Sequence, residues 1–400
     1  MALNAEDLRL QQVDNGKEDW RLFGPYLSER QWGTVREDYS EGGTAWDSFP
    51  HDHARSRAYR WGEDGIAGLS DSGQNLCFAL ALWNGKDAIL KERLFGLTND
   101  QGNHGEDVKE YYYYQDSTPT HSYMKMLYKY PHAAFPYGDL LAENARRKAT
   151  DSAGFEYELI DTGVFHEDRY FDVTVEYAKR GVDDILVRIT AHNHGPEDHP
   201  IWLLPTVWFR NTWSWKQGAK RPNLKAESDD AVFISHDEMP DMRLSCPEAD
   251  SLLFCDNDTN RRRLYGQDGP LFPKDGINNH IVNGDPSVNP AKTGTKASAL
   301  YHRVVPAGKS VTVTLRLAQA TEAEGLGEAA DKLFATRIAE ADAFYDTRIP
   351  ANASADQRMI ARQAHAGMMW SKQFFHYVVS DWLDGDEVPP PDGRKHGRNK

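Results

Sequence analysis

The stretch "SVTVTLRLAQATEAEGLGEAADKLFATRIAEADAFYDTRI", residues 310–349, contains the point at which the hydrophobic pattern of the chain changes. Residues 310–320 alternate polar and apolar side chains with the period of two that a half-buried strand requires. After residue 323 the apolar side chains recur with helical spacing, at Leu333, Phe334, Ile338 and Phe344. The sequence therefore predicts that a β-rich body ends near residue 320 and that helices follow it.

Upstream of this point the chain carries one strand signal after another. Runs of β-branched and aromatic residues are separated by Gly, Pro, Asn or Asp. The clearest runs are 75–85, 108–131, 155–161, 170–179, 183–193 and 199–213. Pro205 interrupts the last run, which favours an edge strand or a bulge because proline cannot donate to a sheet ladder. Helical spacing is scarce here, so we predict a mainly β fold, a large antiparallel β-supersandwich.

A further helix is predicted over residues 355–382. Ser354 and Gln357 have the spacing of a capping box, in which each side chain bonds a backbone N–H of the first turn. The apolar face of this helix includes Met359, Ile360, Met368, Phe374 and Phe375. These patterns divide the chain into a sandwich domain, a helical linker and the start of another domain, at 1–320, 321–350 and 351–400.

Composition excludes several classes of function. The chain of 400 residues has 46 basic and 61 acidic side chains, a net charge of −15, which repels nucleic acid and anionic lipid. No apolar run approaches the roughly 20 residues that span a bilayer, and the N-terminus lacks the pattern of a signal peptide. We therefore expect no nucleic-acid or membrane partner, and a cytoplasmic location. Three cysteines without a C-x-x-C pair fit reduced thiols; they are Cys77, Cys246 and Cys255.

Motifs for cofactors and metals are weak in this sequence. There is no G-x-S-x-G, no P-loop and no G-x-G-x-x-G that opens a helix. Two His-x-His pairs have a spacing that suits metal ligands, but neither has a third ligand nearby; they are His51 with His53 and His192 with His194. The sequence therefore predicts neither a cofactor nor a metal.

Residues 24–71 have the composition of a binding surface. They are dense in Trp, Tyr, Arg, Asp and Glu and poor in aliphatic side chains. Aromatic faces stack on pyranose rings while charged groups bond to hydroxyls, which makes Trp61, Glu63 and Asp64 candidate sugar contacts. The alternative is a surface loop system held by ion pairs, such as Arg55 or Arg57 with Glu63 or Asp64. Composition alone slightly favours this alternative.

The predicted terminal helix carries a second candidate surface. Trp370, Gln373 and Tyr377 follow one another at i, i+3 and i+7, beside the apolar face, and Lys372 and His376 are adjacent. Such a stripe either lines a polar cavity or packs under a neighbouring helix, with the polar atoms of its side chains hydrogen-bonded inside the protein. The sequence leaves both readings open. Under the first reading, Trp370, Lys372 and Gln373 contact sugar.

Several long strings of this sequence resemble a known family of enzymes. They are residues 30–68, 79–131, 367–386 and 389–399, and they are similar to the bacterial glucosidase-type proteins of glycoside hydrolase family 63. This family includes the eukaryotic mannosyl-oligosaccharide glucosidases. The resemblance runs from about residue 20 to the end of the chain. It implies a β-supersandwich, linker helices, an (α/α)6 toroid and inverting hydrolysis of α-glucosidic bonds.

The resemblance also implies where the catalytic groups lie. Inverting hydrolysis needs a carboxylic acid and a carboxylate about 6.5 to 9.5 Å apart. In the family both lie in the toroid, beyond its first helix, and neither has a matching position in these 400 residues. We therefore expect a truncated chain, the N-terminal portion of an α-glucosidase-type hydrolase acting on oligosaccharides or glucosides, without activity of its own. No catalytic residue is assigned.

A different class of function stays open beside this one. The chain is alternatively a non-catalytic carbohydrate-binding or scaffold module that associates with a separate catalytic chain. Residues 355–382 are then the surface for that partner, or for self-association. If the chain itself were catalytic, its carboxylates would come from the N-terminal segment, and the candidates are Asp47, Asp52, Glu63 and Asp64.

Overall fold

Two antiparallel sheets form the centre of the fold. The structure is a computed structural model that describes residues 3–29, 31, 50–97, 107–150, 154–215, 218–322 and 325–374. Its six-stranded sheet has, in spatial order, β1 (Phe23–Gly24), β2 (Leu69–Asp71), β3 (Leu76–Trp83), β10 (His199–Phe209), β16 (Lys296–Val305) and β14 (Ser251–Cys255). The protein is therefore mainly β, as the sequence predicts.

The second sheet has nine strands. In spatial order they are β15 (Thr293–Gly294), β11 (Asn223–Ala226), β12 (Ala231–His236), β13 (Met239–Ser245), β17 (Ser310–Gln319), β9 (Asp184–Asn193), β8 (Tyr170–Gly181), β7 (Tyr123–Pro131) and β6 (Tyr112–Ser117). A short ribbon pairs β4 (Gly96–Leu97) with β5 (Asp107–Val108).

The period of two in the strands sorts their side chains between two faces. In β3 one face joins the main hydrophobic core and consists of Leu76, Phe78, Leu80 and Leu82. The other face of β3 joins smaller clusters through Cys77, Ala79 and Ala81. The main core also contains residues of β7, β8 and β9, so it lies between the two sheets. The three cysteines are buried free thiols.

Helices cover the outer faces of the sheets. Over the described residues they are α1 (Ala5–Asp14), α2 (His51–Ala54), α3 (Tyr137–Thr150), α4 (Arg261–Tyr265), α5 (Gly276–Asn283), α6 (Glu328–Asp346) and α7 (Ala355–Trp370). Ile277 of α5 packs on the six-stranded sheet, and Phe334 of α6 packs on the nine-stranded sheet. Within these described ranges, none of the helices has the length and apolar character needed to cross a membrane.

The change from strands to helices near residue 320 is confirmed, because α6 and α7 follow β17. The capping box is confirmed as well. The backbone N–H of Ser354 donates to Gln357 Oε1 at 2.9 Å, and the backbone N–H of Gln357 donates to Ser354 Oγ at 3.2 Å. Three helices of eight or more residues in the β-rich part, namely α1, α3 and α5, are absent from the sequence prediction.

The predicted edge or bulge at Pro205 is wrong. β10 lies between β3 and β16, in the interior of its sheet. Its pairing with β3 is continuous through Pro205, and its pairing with β16 keeps one register but is interrupted at Leu204 and Pro205. Proline removes one ladder donor at this point. At this interruption the hydroxyl of Thr206 donates to the backbone carbonyl of Leu204 at 2.8 Å and bonds to Ser298 Oγ of β16 at 2.6 Å.

The predicted helix over residues 355–382 is too long. α7 ends at Trp370, and Ser371 caps it through a backbone bond to the carbonyl of Gly367. Gln373 then pairs with Leu27 in an isolated antiparallel bridge, which a helix cannot form. The contact with the N-terminal segment therefore replaces helical continuation, and residues 375–382 lie outside the described residues.

Candidate functional site

Trp61 lies in an aromatic group built around a buried guanidinium. Its ring stacks on Trp215, with ring centroids 5.0 Å apart and an interplanar angle of 20°. The guanidinium carbon of Arg210, which follows β10 directly, is 5.6 Å from the ring of Trp61 and 5.5 Å from that of Trp215. The same carbon is 4.6 Å from the ring of Phe374. Arg210 therefore brings the two predicted sugar-contact segments together.

Glu63 organises the turn that carries Trp61. Its Oε2 atom accepts backbone N–H bonds from Arg60, Trp61 and Gly62 at 2.8, 2.9 and 3.1 Å, and the residue is 0% exposed. Gly62 has a φ of +117°, which side chains rarely adopt, so this turn requires glycine. The Glu63 carboxylate thus fixes the backbone beneath Trp61 and has no surface for a ligand.

Asp64 belongs to a buried network of charges. Its Oδ1 is 2.5 Å from Arg93 Nη2 and its Oδ2 is 2.6 Å from Lys274 Nζ, while Glu92 pairs with Lys296 at 2.5 Å. Burial acts to raise the pKa of Asp64, but Lys274 and Arg93 hold that pKa well below its ordinary range. Asp64 is therefore ionised at neutral pH and has no proton to give to a leaving group.

The remaining acidic candidates differ in their surroundings. Asp52 is a partly exposed residue that pairs with Arg263, and with Arg55 at 3.0 Å. Burial opposes ionisation, but Arg263 and Arg55 lower the pKa of Asp52. Asp47 lies outside the described residues. Arg55 thus pairs with Asp52 and not with the Asp64 carboxylate that the sequence suggested.

Trp370 packs on the sandwich as the last residue of α7. It is 0% exposed, and its ring stacks on Tyr114 of β6 with centroids 5.4 Å apart and an interplanar angle of 10°. Its indole N–H donates to the backbone carbonyl of Asp116 at 3.0 Å. Of the two readings that the sequence leaves open, Trp370 therefore follows the second: its ring is packed inside the protein and its N–H group is hydrogen-bonded.

Lys372 and Gln373 lie in the segment after α7. The ammonium of Lys372 donates to His121 Nε2 at 2.8 Å. Burial holds the pKa of His121 well below its usual value, and the charge of Lys372 lowers that pKa further. The imidazole of His121 is therefore neutral and accepts the hydrogen bond. Burial lowers the pKa of Lys372 to about 8, with a smaller effect of Arg21. Gln373 is exposed, and Gln31 Nε2 donates to the Phe374 carbonyl at 3.2 Å beside it.

Two clefts open beside the segment that follows β10. The larger has a volume of about 680 Å³, and residues that line it include Arg60, Asn211, Trp213, Arg221, Asp258 and Arg261. The smaller has a volume of about 480 Å³, and residues that line it include Arg210, Trp213, Trp215, Lys220, Arg221 and His236. Both volumes suit a sugar-sized ligand. Trp213 and Arg221 line both clefts, so the two are neighbours.

Sequence reasoning missed most residues of these clefts. The pattern of residues 199–213 predicts only a strand, although Trp213 and Trp215 follow closely after Arg210. Their aromatic and basic composition resembles the composition that makes residues 24–71 a candidate binding surface. The contributions from Asp258 and Arg261 carry no such signal, because only the fold brings them near Trp213.

Comparison with known proteins gives one close sequence relative and several remote structural ones. The chain is 40% identical to the uncharacterized protein YMR196W of Saccharomyces cerevisiae, over an alignment of 446 positions that covers 99% of this chain. The chain spans only 41% of the length of that yeast protein. No family model matches the sequence.

The structural neighbours include two carbohydrate-active enzymes. A polysaccharide lyase matches 67% of this chain and 28% of its own, with 9% identity and a TM-score of 0.27. A putative kojibiose phosphorylase from the human microbiome matches 80% of this chain and 36% of its own, with 9% identity and a TM-score of 0.22. The match to the Slr1438 protein of Synechocystis sp. PCC 6803 covers 64% of this chain and 88% of that protein, with 12% identity and a TM-score of 0.28. TM-scores this low carry no argument about fold or function.

Proposed function

We propose that this chain is the carbohydrate-binding, N-terminal portion of an inverting α-glucosidase-type hydrolase that acts on oligosaccharides or glucosides. The observation that carries the proposal is the aromatic group at the clefts. Trp61 stacks on Trp215, and Trp213 lines both clefts among arginine, asparagine and aspartate side chains. Aromatic faces cover the C–H faces of a pyranose, and side chains of these polar types bond its hydroxyls.

The resemblance to glycoside hydrolase family 63 supports the reaction class. It puts the acid and the base in a toroid whose catalytic positions match no residue of this chain. The lowered pKa values of Asp52 and Asp64 argue against either residue as the general acid of inverting hydrolysis, because that acid must hold a proton near neutral pH. We therefore propose that the sandwich binds saccharide and that catalysis needs further sequence, which the longer yeast relative contains.

A non-catalytic module that docks on a separate catalytic chain is the second candidate. Three apolar side chains of α7 favour it because they face solvent: Met359, Ile360 and Met368 are 50%, 56% and 79% exposed. Exposed apolar groups on one helix are typical of a surface that another protein covers. The two candidates share the saccharide site and differ in whether the catalytic groups are on the same polypeptide.

The test of the reaction uses the full-length yeast relative. It is incubated with α-linked glucose disaccharides, and proton NMR records which anomer of glucose appears first. The proposal predicts hydrolysis with the β anomer as the first product, because a single displacement inverts the configuration. First appearance of the α anomer would contradict the inverting mechanism, and the absence of hydrolysis for every α-linked disaccharide would contradict the reaction class.

A further inference from the structure

We infer that the larger cleft binds a saccharide that carries an anionic group, either a carboxylate or a phosphate. The inference rests on the proposed function, which supplies the sugar, and adds the charge and the place of the ligand. It concerns the cleft of about 680 Å³ beside Trp213, and it assigns no catalytic role to any residue there. The volume fits a ligand of one or two sugar rings.

Charge is the first observation. The chain has a net charge of −15, yet the lining of this cleft includes four arginines and one aspartate. The arginines are Arg57, Arg60, Arg221 and Arg261, and the aspartate is Asp258. A positive cleft in an acidic protein attracts anions and repels the cations that the rest of the surface attracts.

The ion pairs of these arginines distinguish the one whose charge is already balanced from two that are available to a ligand. Arg221 bonds the carboxylates of Asp256 and Asp258 at 2.8 and 2.7 Å, so its charge is balanced. Across the described ranges, neither Arg60 nor Arg261 forms an ion pair with a carboxylate. Arg60 donates from Nη2 to Ser214 Oγ at 3.0 Å, which holds its guanidinium beside the cleft. Two guanidinium groups therefore remain to balance a ligand's negative charge.

A buried amide oxygen is the second, independent observation. Asn211 is 1% exposed, and its Nδ2 donates to the carbonyl of Asn257 at 2.8 Å and to Asp258 Oδ1 at 2.9 Å. These two bonds fix the orientation of the amide. Its Oδ1 atom, and Nε of Arg60, have no hydrogen-bond partner among the described residues. Buried polar groups without partners are rare, and a ligand or water that donates and accepts would satisfy both.

Aromatic side chains supply the place for the sugar ring. Trp213 is half-buried in the wall of the cleft, with the guanidinium carbon of Arg221 5.4 Å from its ring. Tyr265, at the end of α4, also lines the cleft and is 50% exposed. One cleft thus contains an aromatic face for the pyranose, a guanidinium for the anion and an amide for a hydroxyl.

The experiment measures binding to the whole chain by isothermal titration calorimetry at low salt. The probes are glucose 6-phosphate, glucuronate, glucose and inorganic phosphate, and the variants are Arg261→Gln and its control Arg262→Gln. Arg261 lines the cleft, whereas Arg262 is its neighbour on α4 and is 82% exposed. We expect glucose 6-phosphate or glucuronate to bind at least tenfold more tightly than glucose, and the anionic sugar that binds identifies the anion.

The variants and salt complete the test. Arg261→Gln should weaken binding of the anionic sugar about tenfold and Arg262→Gln should leave it unchanged, and added salt should weaken it by screening. Equal binding of glucose and its anionic forms would overturn the inference while leaving the proposed function intact. Inorganic phosphate that binds as tightly as glucose 6-phosphate would overturn the saccharide part. Absence of binding for every probe would overturn the inference. The reaction class is decided separately, by the NMR assay of the first glucose anomer.

Discussion

The indole N–H of Trp370 donates a 3.0 Å hydrogen bond to the backbone carbonyl of Asp116, at the bulge where β6 meets β7. β6 is an edge strand of the nine-stranded sheet, and Arg362 of α7 pairs with the Asp116 carboxylate. An uncovered edge strand offers free backbone groups to other chains. α7 therefore covers this edge and packs as part of the sandwich.

Removal of the Trp370 side chain should strongly destabilise the protein. The variant Trp370→Ala leaves a cavity beside Tyr114 and an unpaired carbonyl at Asp116, and we expect a loss of about 3 to 5 kcal/mol in the free energy of unfolding. The control Met368→Ala, on the same helix and 79% exposed, should change it by about 0.5 kcal/mol or less. Urea unfolding measures both, and equal effects would show that α7 is not docked as described.

The stability of the protein should depend on pH through Glu29. This carboxyl group accepts from the backbone N–H of Ala67 at 2.7 Å and from the hydroxyl of Tyr114. Burial raises the pKa of Glu29 from 4.5 to about 7. The folded state therefore binds a proton more tightly than the unfolded state, so this contribution to stability is complete below pH 4.5 and is lost as the pH rises through 7.

Replacement of Glu29 by glutamine tests this dependence. Between pH 4.5 and pH 8 the wild type should lose about 3 kcal/mol more unfolding free energy than Glu29→Gln, since the variant cannot ionise. The control is Glu18→Gln, at an exposed position. Urea unfolding at both pH values gives the difference. A pH profile of Glu29→Gln that matches the wild type would show that Glu29 titrates normally.

Loss of the Asp64 charge should unfold the buried network rather than disturb the clefts alone. The variant Asp64→Asn removes the carboxylate from Lys274 and the nearer of two carboxylates from Arg93, whose contact with Glu92 is 3.4 Å long, and we expect about 3 to 5 kcal/mol of destabilisation. The control Asp268→Asn changes a fully exposed carboxylate, so the free energy of unfolding should stay within about 0.5 kcal/mol. A fully stable Asp64→Asn protein would return Asp64 to the list of ligand-binding candidates.

Saccharide binding should depend on the stacked tryptophans. Trp215→Ala removes the ring that supports Trp61, and we expect at least tenfold weaker binding of the sugar that the chain prefers. The control Tyr113→Ala removes a 41% exposed ring from β6 and should leave affinity unchanged. Titration calorimetry with thermal unfolding of each variant separates binding from folding. Unchanged affinity of Trp215→Ala would mean that the stack is a packing contact.

Local sequence patterns predict the features of this fold that depend on neighbours in the chain. The switch of period near residue 320 and the capping box at Ser354 depend on spacing within a few residues, and both are correct. Pro205 and the end of α7 depend on partners distant in sequence. Pro205 lies between β3 and β16, beside the hydrogen bond of Thr206 to Ser298, and Leu27 pairs with Gln373 beyond the end of α7.

The candidate site was predicted only where one segment carries a composition signal. Trp61 stood out in an aromatic and charged stretch, and it does lie in the aromatic group around Arg210. Composition could not reveal that Glu63 fixes a turn or that Asp64 is held by Lys274, because burial and pairing are properties of the fold. The arginines of the larger cleft come from three separate segments, so no spacing rule connects them.

The division between binding and catalysis is tested most directly by one assay of the purified 400-residue chain. Its hydrolysis of α-linked glucose disaccharides is measured beside that of the full-length yeast relative. We expect turnover by the relative and none by this chain, with saccharide binding by the chain retained. Turnover by the chain alone that disappears in Asp52→Asn or Glu63→Gln would overturn this division, because the sandwich itself would then supply the catalytic carboxylates.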